Sequence, residues 1–304
     1  MLRKYLAEII SRRVEGLNNR IIKAFEKVPR EKFVFSGISL DSIYSDQAIP
    51  TFYGKDFLST SSQPSLMALF YKETILKEGD RVLEIGTGTG YNAAIMAEIV
   101  GKSGIIVTTE PEAEIFQKAK ENLSEYDNIK VLNKDGYYGY DEEKFDIIFS
   151  TIAVDAIPVT WINQLKENGK IISPIVLGDD LTDYTFLIEK SRKEITARFL
   201  IHTSFLRALG KLSFKNKIKL EKHNFNIEMK LNIPEKLFEF CVTYFNPQNG
   251  NISINSEYGL YRKGLLKFKG ENLLNVIEKL KNVNLFSTRF KGKIIYDFLN
   301  FIPY

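Results

Sequence analysis

The stretch that decides the fold is VLEIGTGTGYN, residues 82–92. A short apolar run that contains Glu84 leads into three glycines, and an apolar helical pattern, YNAAIMAEIV (91–100), follows them. Glycines after a strand let the backbone turn tightly and let a ligand approach the main chain, because no Cβ stands in the way. The stretch therefore predicts a strand, a glycine loop and a helix that together form a ligand site.

Apolar runs and amphipathic segments alternate on both sides of this loop. The predicted strands are RVLEIG (81–86), IIVTTE (105–110), IKVLN (129–133), FDIIFST (145–151) and KIISPI (170–175). The predicted helices are one through Leu6 to Leu17, one over Asn19–Lys27, YNAAIMAEIV (91–100), EAEIFQKAKENL (112–123) and one around 161–165. Repeated β-α units of this length predict a Rossmann-like, doubly wound, mostly parallel sheet with helices on both faces.

The pattern becomes less regular after about Lys211. PEKLFEFCVTYF (234–245) predicts a buried element, residues 252–270 alternate like successive strands, and ENLLNVIEKL (271–280) predicts a helix. A chain of 304 residues is long enough for two domains. We therefore predict one domain over residues 1–210, with N-terminal helices in 1–40, and a small α/β accessory domain over 211–304.

Composition excludes several classes of protein. An apolar fraction of 44% and a charged fraction of 26% are those of a globular chain, and no apolar run reaches the ~18 residues of a membrane span. Arg12 and Arg13 interrupt the start where a signal peptide needs its apolar core. The single cysteine, Cys241, suits a reducing compartment, and with only His202 and His223 beside it no common zinc site can form. We predict a cytoplasmic protein without a metal.

Charge is unevenly distributed along the chain. Residues 1–180 carry 21 Lys and Arg against 27 Asp and Glu, whereas residues 181–304 carry 21 against 11. The basic excess is densest over 190–222. Such a stretch can attract a polyanion, but we favour a lysine-rich solvated surface, because nothing in the sequence places these charges on one face and no basic-aromatic RNA module is present. We do not expect nucleic acid as a partner.

The spacing of the glycines favours one class of ligand. G-x-G-x-G differs from the G-x-G-x-x-G of dinucleotide sites, so a ligand without phosphates, such as S-adenosylmethionine, is preferred. Glu84 can face its sulfonium or amino end, Glu110 can accept both ribose hydroxyls, and Asp135 with Gly136 is placed for the adenine amino group. The predicted cofactor-binding residues are Glu84, Gly86, Thr87, Gly88, Gly90, Asn92, Glu110, Asp135 and Gly136.

Residues 59–65, STSSQPS, have neither helical nor strand periodicity and predict a polar loop whose hydroxyls can hold a small polar group. With VPREKFV (28–34), YSDQAIP (44–50) and the glycine stretch, TSSQP (60–64) resembles, in this order, the pattern of protein-L-isoaspartate O-methyltransferases. The resemblance covers roughly residues 15–200 and includes KDGYYGY, FDIIFST and LKENGKIISPI. The resemblance therefore implies that the domain predicted over residues 1–210 is a methyltransferase domain.

The resemblance implies methyl transfer from S-adenosylmethionine to the α-carboxylate of L-isoaspartyl residues in damaged proteins and peptides, which starts repair through a succinimide. It implies Ser62 as the catalytic residue that contacts this carboxylate, with Thr60 and Ser61 beside it in substrate binding. The chain departs from the pattern by four extra residues between Pro50 and Ser62, by Ala48-Ile49 in place of Pro-Leu, and by lacking a recognisable V-P-L around 203–206. The accessory domain belongs only to longer members.

Two other functions remain open on the sequence. In the first, the protein methylates an aspartate in one peptide precursor and uses its accessory domain to hold a leader segment. In the second, it is an RNA-binding methyltransferase that uses its basic C-terminal region.

Overall fold

The computed structural model describes residues 2–54, 58–154, 157–176, 183–191 and 195–212, and the strands 225–230, 253–254, 265–270, 287–291 and 298–299. The chain divides into two compact units, Met1–Thr151 and Ile152–Tyr304. The domain boundary predicted at residue 210 lies inside the second unit and stays a prediction.

The first unit opens with the two predicted helices, α1 (Leu2–Arg13) and α2 (Asn19–Lys27). A 3-10 turn (Arg30–Phe33) and a short α3 (Leu40–Ile43), which the sequence did not predict, follow them. Asn18 begins α2 because its side-chain oxygen accepts from the Arg20 amide at 2.9 Å. Pro29 comes two residues after the end of α2, after the C-cap Val28, and a proline cannot continue the helix.

A hairpin and a helix follow where the sequence predicts a loop. Strand β1 (Ile49–Tyr53) pairs antiparallel with β2 (Leu58–Ser61), and α4 (Pro64–Thr74) begins three residues later. The prediction of a loop over 59–65 was therefore wrong. Ser and Thr occupy both faces of β2, so the strand shows no alternation, and its pairing with β1 is what holds it extended.

The predicted parallel sheet is present in the first unit. Its strands are β3 (Arg81–Ile85), β4 (Ile105–Thr109), β5 (Ile129–Leu132) and β6 (Phe145–Ser150), in the order β6-β3-β4-β5. Helices α5 (Tyr91–Val100) and α6 (Ala113–Asn122) connect β3 to β4 and β4 to β5. In register, Ile85 lies beside Thr109 and Ser150, and Thr109 lies beside Leu132. All four strands therefore end at one edge, where the loops that follow them gather.

Apolar side chains join the helices to this sheet. Helix α5 is buried on nearly every side, as expected of a helix inside the core. Helix α2 packs on α1 and α5, and α1 packs on α4. The Tyr71 ring of α4 lies between Phe25 of α2 and Phe149 of β6, at centroid distances of 6.2 and 5.8 Å. Each such buried ring stabilises the fold by roughly 1.5–3 kcal/mol.

The second unit is mainly an antiparallel sheet. Its elements are β7 (Ile157–Pro158), α7 (Val159–Gln164), β8 (Leu165–Val176), β9 (Asp183–Lys190), β10 (Ile195–Thr203), β11 (Phe225–Lys230), β12 (Ser253–Ile254), β13 (Leu265–Gly270), β14 (Ser287–Lys291) and β15 (Phe298–Leu299). Seven of these strands are neighbours in one sheet, in the order β8-β9-β10-β14-β11-β13-β12, and β15 pairs separately with β7.

The second unit confirms some predictions and adds two strands. The predicted strand at 170–175 is part of the longer β8, which pairs antiparallel with β9. Strands β9 and β10 are not predicted above, and β12 and β13 confirm the alternation over 252–270 where the structure describes it. The elements predicted over 234–245 and 271–280 lie outside the described residues. None of the described helices combines the length and the apolar character needed to span a membrane.

Candidate active site

The glycine loop after β3 depends on backbone conformations that favour glycine. Gly86, Gly88 and Gly90 have φ angles of +95°, +53° and +101°, which side chains other than glycine rarely adopt. A Cβ on Gly90 would also come within 2.8 Å of the Leu123 side chain. The loop is tied to the neighbouring strand because the amide of Gly86 donates to the carbonyl oxygen of Thr109 at 3.0 Å. It is therefore a fixed cradle at the edge of the sheet, in which Gly86 and Gly88 are partly exposed.

Glu110, the residue after β4, is bound to this loop. Its Oε2 accepts from the Gly88 amide at 3.0 Å, and its Oε1 accepts from the Glu112 amide at 3.3 Å. Burial raises the pKa of Glu110 to about 7, although the two amide donors act in the opposite direction. Each carboxylate oxygen can accept further hydrogen bonds. The group is thus suited to a pair of hydroxyls, as the sequence predicts for a ribose.

Glu84 lies inside β3 and is completely buried. Its Oε1 accepts from Asn92 Nδ2 at 2.6 Å and its Oε2 from Thr108 Oγ1 at 2.5 Å, and the Thr87 hydroxyl lies 2.7 Å from that of Thr108. Burial raises the pKa of Glu84 to about 7. The carboxylate therefore holds together the loop, the start of α5 and β4, and its predicted contact with the ligand stays a prediction.

Asp135 and Gly136 follow β5 at the same edge. Asp135 Oδ1 accepts from the Tyr137 amide at 2.9 Å and so caps the short 3-10 turn Gly136–Tyr138. The glycine loop, Glu110 and Asp135 thus follow three neighbouring strands, as the sequence predicts. Thr151, after β6, is a residue that the sequence analysis missed. Its hydroxyl donates to the carbonyl oxygen of Gly86 at 2.5 Å and holds the loop from the side opposite β4.

Strand β2 lies directly on the glycine loop. Ser59 Oγ is 3.0 Å from the position that a Cβ on Gly88 would take, so a side chain there would crowd it. Ser59 is buried and its Oγ accepts from Thr51 Oγ1 of β1 at 3.1 Å. Thr60 and Ser62 are partly exposed. The predicted substrate segment is therefore next to the predicted cofactor loop.

Arg30 organises the segment that carries the predicted substrate residues. It is completely buried, and its guanidinium donates to four backbone carbonyl oxygens at 2.9–3.1 Å. These carbonyls belong to Ile43, Ser45, Gln47 and Ser62. Its Nε and Nη2 also donate to Ser61 Oγ at 3.4 and 3.2 Å. Burial lowers the pKa of Arg30, but arginine remains charged in proteins.

Asp46 makes a second connection between the same two segments. Its buried carboxylate accepts from the Ser65 amide at 2.7 Å, from Gln63 Nε2 at 3.2 Å and from Arg13 Nη1 at 2.6 Å. The sequence analysis assigned no role to Arg30 or Asp46. The sequence did contain a signal for them, because Arg30 lies in VPREKFV and Asp46 in YSDQAIP, and both segments belong to the pattern that carries the resemblance.

Comparison with known proteins gives a consistent result. The sequence model of the protein-L-isoaspartate(D-aspartate) O-methyltransferase family matches residues 3–213. A protein-L-isoaspartate O-methyltransferase of Thermotoga maritima is 40% identical over 222 residues, which are 71% of this chain and 70% of the relative. A solved protein-L-isoaspartate O-methyltransferase is 28% identical and superposes with a TM-score of 0.70 over 96% of this chain and 100% of the other. A Plasmodium falciparum protein solved with S-adenosyl-L-homocysteine, 24% identical, shares the fold at a TM-score of 0.57 over 68% of this chain and 98% of its own.

The Rossmann-like sheet with its glycine cradle, together with these matches, defines an S-adenosylmethionine-dependent methyltransferase. The residues fit this cofactor, because Gly86 and Gly88 are partly exposed and the Glu110 carboxylate beside them can accept further hydrogen bonds. Within the described residues, no cluster of three or more His, Cys, Asp or Glu side chains could hold a metal ion. With the matches above, the chain belongs to the protein-L-isoaspartate O-methyltransferase family.

Proposed function

We propose that the protein transfers the methyl group of S-adenosylmethionine to the α-carboxylate of L-isoaspartyl residues in damaged proteins and peptides, and so initiates their repair through a succinimide. Family membership supports this activity. The structural observation that carries this proposal is the close approach of β2 to the glycine loop: Ser59 Oγ lies 3.0 Å from the position that a Cβ on Gly88 would take. We further propose that the reaction takes place in the cytoplasm and that nucleic acid is not a partner.

The cofactor side of the site consists of the loop and the carboxylates around it. When bound, S-adenosylmethionine supplies an electrophilic methyl group on a positively charged sulfur. Glu110 would accept its ribose hydroxyls, Asp135 would bind its adenine amino group, and the loop backbone would hold its remaining part. The proposed binding residues are Glu84, Gly86, Thr87, Gly88, Gly90, Asn92, Glu110, Asp135 and Gly136.

The substrate side of the site consists of Thr60, Ser61 and Ser62. Arg30 Nη2 donates to the Ser62 carbonyl oxygen at 3.1 Å and so fixes the backbone of this serine. The Ser62 side chain is partly exposed, and its hydroxyl makes no hydrogen bond to any residue that the structure describes. The hydroxyl is therefore available to donate to one oxygen of a substrate carboxylate, while the other oxygen attacks the methyl group.

The reaction requires orientation and no proton transfer. The α-carboxyl group has a reference pKa of ~3.3–3.7, so it is ionised at neutral pH and no protein base has to remove a proton. The protein has to align one carboxylate oxygen with the methyl group and remove water from it. A neutral hydroxyl is better suited to this than a direct arginine contact, whose charge would hold the carboxylate in its ground state.

An assay with two peptides tests this function. Labelled S-adenosylmethionine is incubated with an isoaspartyl peptide, with its aspartyl twin and with RNA, and we expect label in the isoaspartyl peptide alone. Ser62→Ala should lower methyl transfer by about 10–150-fold, the usual effect of losing a hydrogen bond to a charged group, with no change in cofactor affinity. Ser103→Ala, an exposed serine outside the site, is the control. Label in the aspartyl twin or in RNA would contradict the proposal and favour the two alternatives.

A further inference from the structure

The charge of Arg30 has no counter-ion in direct contact. Among the residues that the structure describes, no carboxylate oxygen lies within 4.0 Å of its guanidinium, and all of its hydrogen bonds go to neutral carbonyl and hydroxyl oxygens. The carboxylate of Asp46 favours the charge of Arg30 from a distance, but its direct ion pair is with Arg13 at 2.6 Å. The face of the Tyr91 ring, 5.5 Å from the guanidinium carbon, is the remaining partner. A buried cation without a matching anion is costly, so its retention calls for a function.

The hydrogen bonds of Arg30 fix the direction of the Ser61 hydroxyl. A serine hydroxyl has two acceptor lone pairs and one proton. Because Nε and Nη2 both donate to Ser61 Oγ, the lone pairs face Arg30 and the proton points away from it. A cation that donates to a hydroxyl also makes that hydroxyl a stronger donor. The segment from Ser61 to Ser62 is therefore electropositive, although neither serine is charged.

We propose that Arg30 is a positioning residue for the substrate, whose buried charge attracts the isoaspartyl carboxylate to the Ser61–Ser62 segment without touching it. The substrate carboxylate would be the anion that the apoprotein lacks at this point. The charge acts through one layer of neutral hydroxyls and carbonyls, so it favours carboxylate binding and still leaves an oxygen free to react. This inference rests on the proposed function, because it takes the α-carboxylate as the substrate group.

A purely structural role for Arg30 makes a different prediction. If Arg30 only holds the backbone, its loss should weaken every peptide to the same extent. If its charge attracts the carboxylate, its loss should weaken a peptide with a carboxylate and leave the matched neutral peptide less affected. An isoaspartyl peptide and the same peptide with its α-carboxylate replaced by a carboxamide make this comparison, because they differ by one charge and little in shape.

The experiment measures the affinity of both peptides by calorimetry in the presence of S-adenosylhomocysteine, so that no methyl transfer occurs. Wild-type protein should bind the carboxylate peptide on the order of tenfold more tightly than the amide, the effect expected of one partly screened charge. Arg30→Met should abolish this preference. Arg30→Lys, which keeps the charge and loses the planar fork, should bind both peptides more weakly and keep the preference. Arg20→Met, at an exposed arginine paired with Glu78, is the control and should behave as wild type.

Each outcome decides the question. Equal affinities for the two peptides in the wild-type protein, or an unchanged preference in Arg30→Met, would overturn the inference. If Arg30→Met does not fold, Arg30→Gln, which removes the charge and keeps amide donors, takes its place: a lost preference supports the role of charge, and a kept preference overturns the inference. The wild-type methylation assay separates this inference from the proposed function, because an enzyme that methylates the isoaspartyl peptide and shows no carboxylate preference fails the inference only.

Discussion

Cofactor affinity should depend on pH through Glu110. Burial raises the pKa of this carboxyl group to about 7 when no cofactor is bound. Ribose hydroxyls that donate to a carboxylate favour its ionised form, so cofactor binding lowers the same pKa. The cofactor therefore binds the ionised protein more tightly, and a protonated Glu110 has to release its proton. Affinity should fall as pH decreases below about 7 and level off above it.

The size of the effect follows from the raised pKa. At pH 6 about one tenth of a group with a pKa of about 7 is ionised, so Glu110 alone should weaken binding by about tenfold, or about 1.4 kcal/mol, relative to pH 8. Glu84 has a similar pKa and adds its own dependence if it contacts the ligand. The variant Glu110→Gln isolates the first group, because its amide carries no charge at any pH. It should also bind about 1.5–3 kcal/mol more weakly at pH 8, since it loses a charged acceptor.

Calorimetry at several pH values provides the test. Repeating the titration in two buffers of different ionisation enthalpy counts the protons released, and this number near pH 6 should fall by about one in Glu110→Gln. Glu114→Gln is the matched control, because Glu114 is an exposed carboxylate in the first turn of α6, four residues from Glu110. A flat affinity between pH 6 and 8 in the wild-type protein, or an equal slope in Glu110→Gln, would refute the assignment of Glu110 to the cofactor.

Three further predictions concern the loop and the C-terminal region. Gly90→Ala should lower the free energy of unfolding by about 1–3 kcal/mol more than Gly37→Ala in chemical denaturation, because both glycines have positive φ but only a Cβ on Gly90 meets Leu123. Methylation of a short neutral isoaspartyl peptide should change little between low and moderate salt, since the basic stretch 190–222 carries no assigned site residue; a steep dependence would contradict this. A chain ended after Gly210 should still bind S-adenosylmethionine in calorimetry, because every assigned residue precedes it, and a folded truncation that does not bind would show that the accessory domain helps to build the site.

The sequence alone determined the sheet of the first unit and the grouping of the glycine loop with the carboxylates that we assign to the cofactor. Strand β3, the glycines after it and helix α5 follow from a local pattern, because glycine conformation and apolar periodicity depend on residues close together in the chain. Parallel strands end at one edge, so the placement of Glu110 and Asp135 next to the loop also followed without tertiary information. The resemblance added Ser62, whose role stays a proposal.

The tertiary structure alone decided how the segment that we assign to the substrate is built. Strand β2 is polar on both faces, so only its pairing with β1 and its contact with Gly88 define it as a strand. Arg30 lies 31 and 32 residues before Ser61 and Ser62 in the chain. Several of the residues around Arg30 are charged, and no local pattern among them predicts that its side chain is buried against the oxygens of these two serines. A buried charge is stable only where distant segments supply its hydrogen-bond partners, and these partners are assembled by folding and are not encoded by their neighbours in sequence.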